Sequence, residues 1–530
     1  MKPRDMGTLF DECAARRSHT TVVLDRPFDI APERGTTFTV PQLADLVEEA
    51  AGWLHAAGAR EGERVAVVKR NHYDYDLLAC AAIRLGAVPA LLSGHLADDA
   101  LELLLKRLEP AVLVTDRPMA AHHARRVLSL SHGDGHGDGH RNGYGDRDGG
   151  GRLVLDDVRG SRAPSPWLRH DDDPLVINHT SGTTGLPKLV VHTTSTLASR
   201  LARFESTRVP VIGTRRDDVV ANASSYAHGR TFCWTASVFG LEPRKIVILS
   251  EPGSARNVLG VHRPTTVEAL PSTYVRWQQL AASSHNPFRS VRLYVSSYDA
   301  MHPPAVRAML NASKRKHPLW MQGWGQTETG PLTFRFLTRK AARRETTARF
   351  LGRPVPGRTR LRVVDPATFE DVPRGTPGLV LARTKARCAG YVGEQDRWQA
   401  KNSGPWWNTG DLAVRTRTGG VRLLDREVDA VPGFSCLEVE DVVEDRLPEV
   451  LECVVLGPAG RLPIPVLVTA DGRLDHERWW AVAAGLPDLG LPRVLKWDEV
   501  PRTGTGKVRR LELLTRLVGN AETHGTGRWT

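Results

Sequence analysis

Apolar residues recur at three- and four-residue spacing through Leu43, Leu46, Val47 and Ala50, which predicts a helix with one buried face. A Gly-containing turn and the apolar run Val65 to Val68 follow, which predicts a buried strand. The cycle returns at once in LLACAAIRLGAVPALLS, a helix closed by Gly86 and then a short strand, and again in LELLLKRLEPAVLVTD. Further cycles run through KIVILS, TTVEALPSTYVRW and FRSVRLYVSS. Helix and strand alternating at this pace predict an α/β fold with largely parallel sheets. From about Pro356 the pattern shortens to Gly- and Pro-punctuated β segments, TRLRVVD, GLVLAR and GGVRLLD. Beyond Val431, Val439, Val442, Val443 and Leu447 share one helix face ahead of the strand-like ECVVL and PVLVTA. The expected organisation is a large N-terminal domain over 1–425, made of α/β subdomains and a β-rich subdomain. A hinge over 426–433 and a small α+β C-terminal domain over 434–530 complete it.

One tract breaks the pattern. Residues 131–151, SHGDGHGDGHRNGYGDRDGGG, have no side chains with which to build a core and read as a disordered surface insertion. Its His132, His136 and His140 lack the preorganisation that a metal site needs. Elsewhere the composition is that of a multi-domain globular protein: 530 residues, 41% hydrophobic and 25% charged. No run is long and apolar enough to span a membrane, and the first residues lack a signal-peptide core, so a cytoplasmic enzyme is expected. The six cysteines are scattered without zinc spacing. The net charge of +12 is spread along the chain without a nucleic-acid-binding signature, and suits anionic small substrates.

The chemistry begins with NHTSGTTGLPK, Asn178 to Lys188, read as a strand-to-helix loop after the apolar run Pro174 to Ile177. Backbone N–H groups, several hydroxyls and one ammonium suit a phosphate chain, although Ser/Thr/Gly loops also serve as plain connectors. The nucleotide-hydrolase loop is excluded, because Leu186 and Pro187 separate Gly185 from Lys188 and Leu189 stands where the metal-binding hydroxyl belongs. Four more segments carry polar groups on Gly-rich turns. WMQGWGQTETG offers Trp324 to stack a purine, Thr327 for a phosphate oxygen and Glu328 for Mg²⁺. WWNTGDL offers Asp411, just after a turn, for a ribose diol. LLDREVD supplies Arg426, and VPRTGTGKVRRLEL presents Lys507 before a terminal helix.

Together and in this order, TSGTTGLPK, GWGQTETG, TGDL and PRTGTGK resemble the adenylate-forming superfamily of acyl-CoA synthetases, luciferases and peptide-synthetase adenylation domains. The resemblance implies that a carboxylic acid attacks the α-phosphate of ATP, releasing pyrophosphate, and that the acyl group then passes to a second nucleophile with loss of AMP. It places Thr180, Ser181, Gly182, Thr183, Thr184, Gly185 and Lys188 on the leaving pyrophosphate. Trp324 would flank adenine, Thr327 meet the α-phosphate, Glu328 hold Mg²⁺, Asp411 bind the ribose and Arg426 contact ribose or phosphate. Lys507, on a mobile C-terminal domain, would be the electrostatic catalyst, and His228 in SSYAHGRTF would lie beside the acid pocket. As a lone histidine, His228 also has a structural reading.

Two departures matter. VSSYDAM places Ser296, Ser297 and Tyr298 where the superfamily has a Gly-Gly turn beside adenine, and DREVDAVPGFSCLEVE is shorter than the usual hinge. A pantetheine arm needs a long lined tunnel, whereas a small nitrogen nucleophile needs less. The acceptor is therefore a thiol, coenzyme A or a stand-alone carrier protein, or an amine as in amide-forming and other nitrogen-joining enzymes of secondary metabolism. A non-catalytic nucleotide-binding protein is the remote alternative. Neither nucleic acid nor membrane is expected as a partner.

Overall fold

The computed structural model describes residues 5–117, 123–130, 151–180, 187–427, 429–431 and 435–519. Most of the Gly/His/Asp tract, 131–150, lies outside them, as do Ser181 to Leu186. The chain forms two compact units: Met1–Thr180 with Pro187–Ser254 and Ala386–Gln395, and Ser181–Leu186 with Ala255–Lys385 and Asp396–Thr530.

In the first unit the helix Val40–Ala56 starts at a capping box, in which Thr39 and Gln42 satisfy each other's backbone N–H. Its apolar stripe, with Leu43, Leu46, Val47 and Ala50, is buried as the spacing predicts. The strands Arg64–Lys69, Val88–Ser93 and Val112–Thr115 alternate with the helices Asp74–Arg84 and Asp98–Leu108. They lie in an eight-stranded sheet whose centre is parallel. That sheet runs from Gly390–Tyr391 through Leu189–Thr193, Pro174–His179, Val88–Ser93, Arg64–Lys69, Val112–Thr115 and Arg126–Ser129 to Arg152–Val154.

The structure corrects the strand-to-helix reading of the loop. Leu189–Thr193 is a strand that pairs antiparallel with Pro174–His179, Ile177 opposite Val191 and His179 opposite Leu189. The loop is thus the tip of a hairpin. The helix follows later as a wide-turned π-helical segment, Ser195–Ala202, and a short α-helical turn, Arg203–Glu205. Val190, Val191 and Thr193 are β-branched and favour a pleated surface, which suits this strand.

In the second unit Thr266–Ala269, Leu293–Ser296 and Leu319–Gln326 are parallel, with the helices Pro271–Ala282 and Pro303–Ala312 as crossovers. The chain then turns antiparallel into Gly330–Thr338 and goes on through Phe350–Pro354, Val421–Arg426, Trp406–Arg415, Pro377–Thr384 and Thr359–Val364 in spatial order. The switch begins at Gly330, ahead of the texture change expected from about Pro356. The C-terminal part has a three-stranded sheet of Val450–Leu456, Ile464–Thr469 and Arg493–Lys496. Alternate side chains divide between two cores, as period two requires. Cys453, Val455 and Leu467 pack with Val439 and Val443 of the helix Cys436–Arg446. Val454, Leu456, Val466 and Val468 pack with Leu513 and Leu514 of the helix Arg510–Val518. The second core anchors the helix that carries the Lys507 loop. The architecture is mixed α/β, a large sheet-rich part followed by a smaller C-terminal one.

Candidate functional site

In the first unit the ends of the Ser/Thr/Gly loop are clamped. Thr180 N–H donates to Lys188 O at 3.0 Å, and Lys188 N–H donates to Thr180 Oγ1 at 3.0 Å. Behind them His179 is buried with both ring nitrogens engaged: Ser93 N–H lies 3.1 Å from Nε2, and Nδ1 lies 2.8 Å from Thr180 O. These contacts require a neutral ring with its proton on Nδ1, and burial lowers its proton affinity in the same direction. His179 positions the loop and was missed in the sequence, where it stands inside the quoted loop with no role assigned; the structure makes it the last residue of the strand Pro174–His179. Lys188 Nζ sits 5.7 Å from the centre of the Tyr391 ring. Ser181, Gly182, Thr183, Thr184 and Gly185 lie outside the described residues. His228 is the N-cap of the helix Gly229–Leu241, its Nδ1 accepting from Arg230 N–H at 3.2 Å, which is the structural reading of that residue.

In the second unit the hairpin between Leu319–Gln326 and Gly330–Thr338 carries Thr327 and Glu328 on its turn. Trp324 is half-buried against a cluster of Leu351, Val380, Ala413 and Val421. Asp411 does not follow a turn. It lies inside the strand Trp406–Arg415, and the Asn-Thr-Gly signal ahead of it is a local kink, with Gly410 at φ +72° and its N–H donating to Asn408 Oδ1. Register places Asp411 opposite Arg426 on the neighbouring strand.

Asp411 is 3% exposed. Gln326 Nε2 donates to its Oδ2 at 3.2 Å and to Thr409 O at 2.6 Å, and Arg426 Nε lies 3.4 Å from its Oδ1. Gln326 Oε1 in turn accepts from Trp407 Nε1 at 3.1 Å. Burial pushes the Asp411 carboxyl above the usual carboxylate range, while Arg426, Lys401 and Lys507 pull it back. Burial opposes the charge of Arg426, but Asp411, Asp429, Asp299 and Glu328 outweigh it and hold the guanidinium above its ordinary value.

Lys507 is brought into the same surroundings. Its loop is closed by Gly506 N–H on Thr503 O at 2.8 Å, Thr503 N–H on Lys507 O at 2.8 Å, and Lys507 N–H on Thr503 Oγ1 at 3.2 Å. Gly506 has φ +78°, and a Cβ there would stand 2.0 Å from Ser272 Oγ, so only glycine allows the loop to approach the helix Pro271–Ala282. Burial lowers the Lys507 ammonium below its ordinary range, Asp299 and Asp411 raise it, and Arg426 adds to the lowering. The structure thus gathers Asp411, Arg426, Glu328 and Lys507, which are far apart in sequence. It adds Gln326, Asp299 and Lys401, which the motifs did not single out. Gln326 sits inside the GWGQTETG motif but carries no charge to draw attention; Lys401 lies in a polar stretch with no motif at all. Among the described residues no helix is long and apolar enough to cross a membrane.

These features agree with comparison to known proteins. A profile of the AMP-binding enzyme family matches residues 10–392. The chain is 36% identical over 542 residues to 3-amino-2-hydroxy-4-methoxybenzoate diazotase of Streptomyces cremeus, covering 98% of this chain and 97% of that one. It is 27% identical over 527 residues to 4-hydroxybenzoate–CoA/benzoate–CoA ligase of Rhodopseudomonas palustris, covering 93% and 91%. Among solved structures, the anthranilate CoA ligase AuaEII in complex with anthranoyl-AMP superposes with a TM-score of 0.76 at 21% identity, covering 97% of each chain. The amide bond synthetase McbA from Marinactinospora thermotolerans gives 0.74 at 22% identity, covering 97% and 100%; both share the fold. The chain belongs to the AMP-binding enzyme family and is an adenylate-forming, AMP-releasing ligase.

Proposed function

We propose that this ligase passes its activated oxyanion to the nitrogen of an aromatic amine and forms an N–N bond. The observation that carries the reading is the full-length similarity to a diazotase of an aminohydroxybenzoate. The shortened hinge segment supports it, since a small nitrogen nucleophile needs no pantetheine tunnel. An amine becomes a diazonium only when it meets an electrophilic nitrogen, and nitrite provides one once an oxygen has become a leaving group. In the first step a nitrite oxygen attacks the α-phosphorus of ATP and the bond to pyrophosphate breaks, leaving a mixed anhydride of nitrite and AMP. The amine nitrogen then attacks the nitroso nitrogen, the N–O bond to AMP breaks and the amine loses a proton. The resulting nitrosamine takes up a proton and loses water.

Lys507 and Arg426 stabilise the charge that develops on the α-phosphate, where preorganised cations act without rearrangement. Thr327 donates to an α-phosphate oxygen, and Asp411, already oriented by Gln326, accepts from the ribose diol. Thr180 and Lys188, fixed at the neck of their loop, serve the departing pyrophosphate. Among the described residues no three ligating side chains cluster, which fits a Mg²⁺ ion held by one carboxylate and by substrate phosphates rather than by a protein cage. Glu328 would hold it, and the ion would neutralise phosphate charge. Mg²⁺ dependence, a cytoplasmic location and a place in secondary metabolism belong to the same proposal.

The second reading keeps an aromatic acid as the oxyanion and a thiol, coenzyme A or a carrier protein, as acceptor; the aryl-CoA ligase relative favours it. Pyrophosphate release from ATP separates the two. Nitrite with a panel of aminohydroxybenzoates should support release that added coenzyme A does not change. Release that needs an aryl acid and consumes coenzyme A, with no response to nitrite, would establish the second reading instead.

A further inference from the structure

Lys401 is 7% exposed and lies within electrostatic reach of Asp411 on its strand and of Glu328 on its turn. Its backbone is fixed: its N–H donates to Trp398 O at 3.2 Å, and Asn408 N–H donates to its O at 2.8 Å. A Cβ built on Gly410 would stand 3.6 Å from Lys401 Nζ, so the ammonium lies beside the residue that precedes Asp411. The Trp407 ring centre is 5.8 Å away, at the outer edge of a cation–π contact. Among the described residues the ammonium has no hydrogen-bond acceptor and no ion-pair partner. Two carboxylates act on it, Glu328 and Asp411; neither lies within ion-pair distance of Nζ, and Asp411 is already taken up by Gln326 and Arg426.

Burying a cation without an acceptor is costly, and lysine can ordinarily avoid the cost by extending its head into water. This one has little room to do so, since the whole residue is 7% exposed. An apolar residue against Trp407 would fill the same space without the penalty, so the charge has to be compensated by something that arrives. The adenylate-forming reaction brings one polyanion to this region, the nucleotide. Its ribose is matched by Asp411, which leaves the phosphate as the acceptor an ammonium prefers.

We infer that Lys401 is a nucleotide-binding residue that donates from Nζ to an oxygen of the α-phosphate, a second lysine of the phosphate site beside Lys507. The inference rests on the adenylate reading of this site and adds to it a residue found through its burial and not through any motif.

The test is calorimetric titration of the full-length protein with AMP and with adenosine, for the wild type, Lys401→Met and Lys401→Arg. Lys401→Met should weaken AMP binding by about tenfold or more and leave adenosine within about twofold. Lys401→Arg should recover part of the AMP affinity, because it restores the charge. Melting temperatures recorded in parallel should show Lys401→Met at least as stable as the wild type, since it removes an uncompensated buried charge. Unchanged AMP affinity in Lys401→Met would overturn the inference, and so would equal losses for AMP and adenosine, which would mark a general packing defect. A wild-type protein that binds neither ligand would overturn the nucleotide reading of the whole site, a failure distinct from that of Lys401 alone.

Discussion

Each compact unit buries a lysine, and the two are treated in opposite ways. In the first, the Lys69 side chain is fully buried, and Nζ lies 2.5 Å from Asp29 Oδ2, 2.8 Å from Asp74 Oδ1 and 3.1 Å from Arg70 O. The protein itself supplies every acceptor an ammonium can use. In the second, Lys401 is almost as buried and is given none among the described residues. Burial of charge is therefore no mark of a site by itself. The mark is buried charge whose compensation has been left out, and in this molecule it falls beside Asp411, Arg426 and Lys507.

The comparison predicts opposite stability effects for the same substitution. Lys69→Met leaves the fully buried Asp74 without its lysine and should cost about 3–5 kcal/mol in denaturant unfolding, the usual penalty for breaking one side of a buried pair. Lys401→Met should cost nothing or stabilise. Equal losses at both positions would erase the distinction. Lys507 sharpens it from the side of chemistry: Lys507→Ala should depress adenylate formation by about a hundredfold or more, the scale for one transition-state charge contact, while chemically supplied adenylate is still consumed at close to the wild-type rate. Equal loss of both steps would assign Lys507 to general binding and not to the first step alone.

Asp76 shows a third way to handle buried charge, which is to give it up. It is fully buried, its carboxyl has among the described residues only the Thr235 hydroxyl, at 2.5 Å from Oδ2, as a hydrogen-bond partner, and burial pushes the carboxyl up to about 8. The unfolded chain releases this proton near the ordinary value of 3.8 and the folded chain only near 8, so the stability contribution is full below pH 3.8 and is lost as pH rises towards 8. In Asp76→Asn that slope should be absent, and the variant should gain on the wild type steadily across this window in unfolding free energy. A constant difference at every pH would show that Asp76 is ionised in the fold.

The smallest effect concerns the Gly/His/Asp tract, and here the fold amends what its composition implies. Arg126–Ser129 and Arg152–Val154 are parallel neighbours, Val127 opposite Arg152. Parallel pairing needs a return connection, so joining Leu130 directly to Gly151 would break the edge of the sheet. Replacing 131–150 by a neutral Gly/Ser segment of equal length should leave melting temperature and turnover unchanged, whereas direct excision should lower the melting temperature. Loss of turnover with the replacement would give the tract a role of its own.

Much of this was legible in the chain. The helix Val40–Ala56 and the strand Arg64–Lys69 follow from spacing and from an apolar run, because their burial is decided by near neighbours in sequence. The motifs singled out Thr327, Glu328, Asp411, Arg426 and Lys507 by residue type and order, and the structure brings Asp411, Arg426, Glu328 and Lys507 into one charged surrounding. What stayed hidden depends on distant strands. The hairpin strand Leu189–Thr193 exists through its pairing with Pro174–His179, Gln326 gains its role when the fold brings Thr409 and Asp411 within reach of its side chain, and Lys401 is packed beside Trp407. A polar residue in a polar stretch gives no sign that the fold will enclose it.

The central claim is that adenylation here prepares a nitrogen–nitrogen bond. Its most direct test is mass spectrometry of the product made from ATP, an aminohydroxybenzoate and nitrogen-15-labelled nitrite, with AMP counted alongside. The account predicts a diazonium carrying one labelled nitrogen, trapped as an azo dye, with one AMP released per product and none formed when nitrite is omitted. An unlabelled aryl thioester or amide formed with AMP at the same rate whether or not nitrite is present would contradict it.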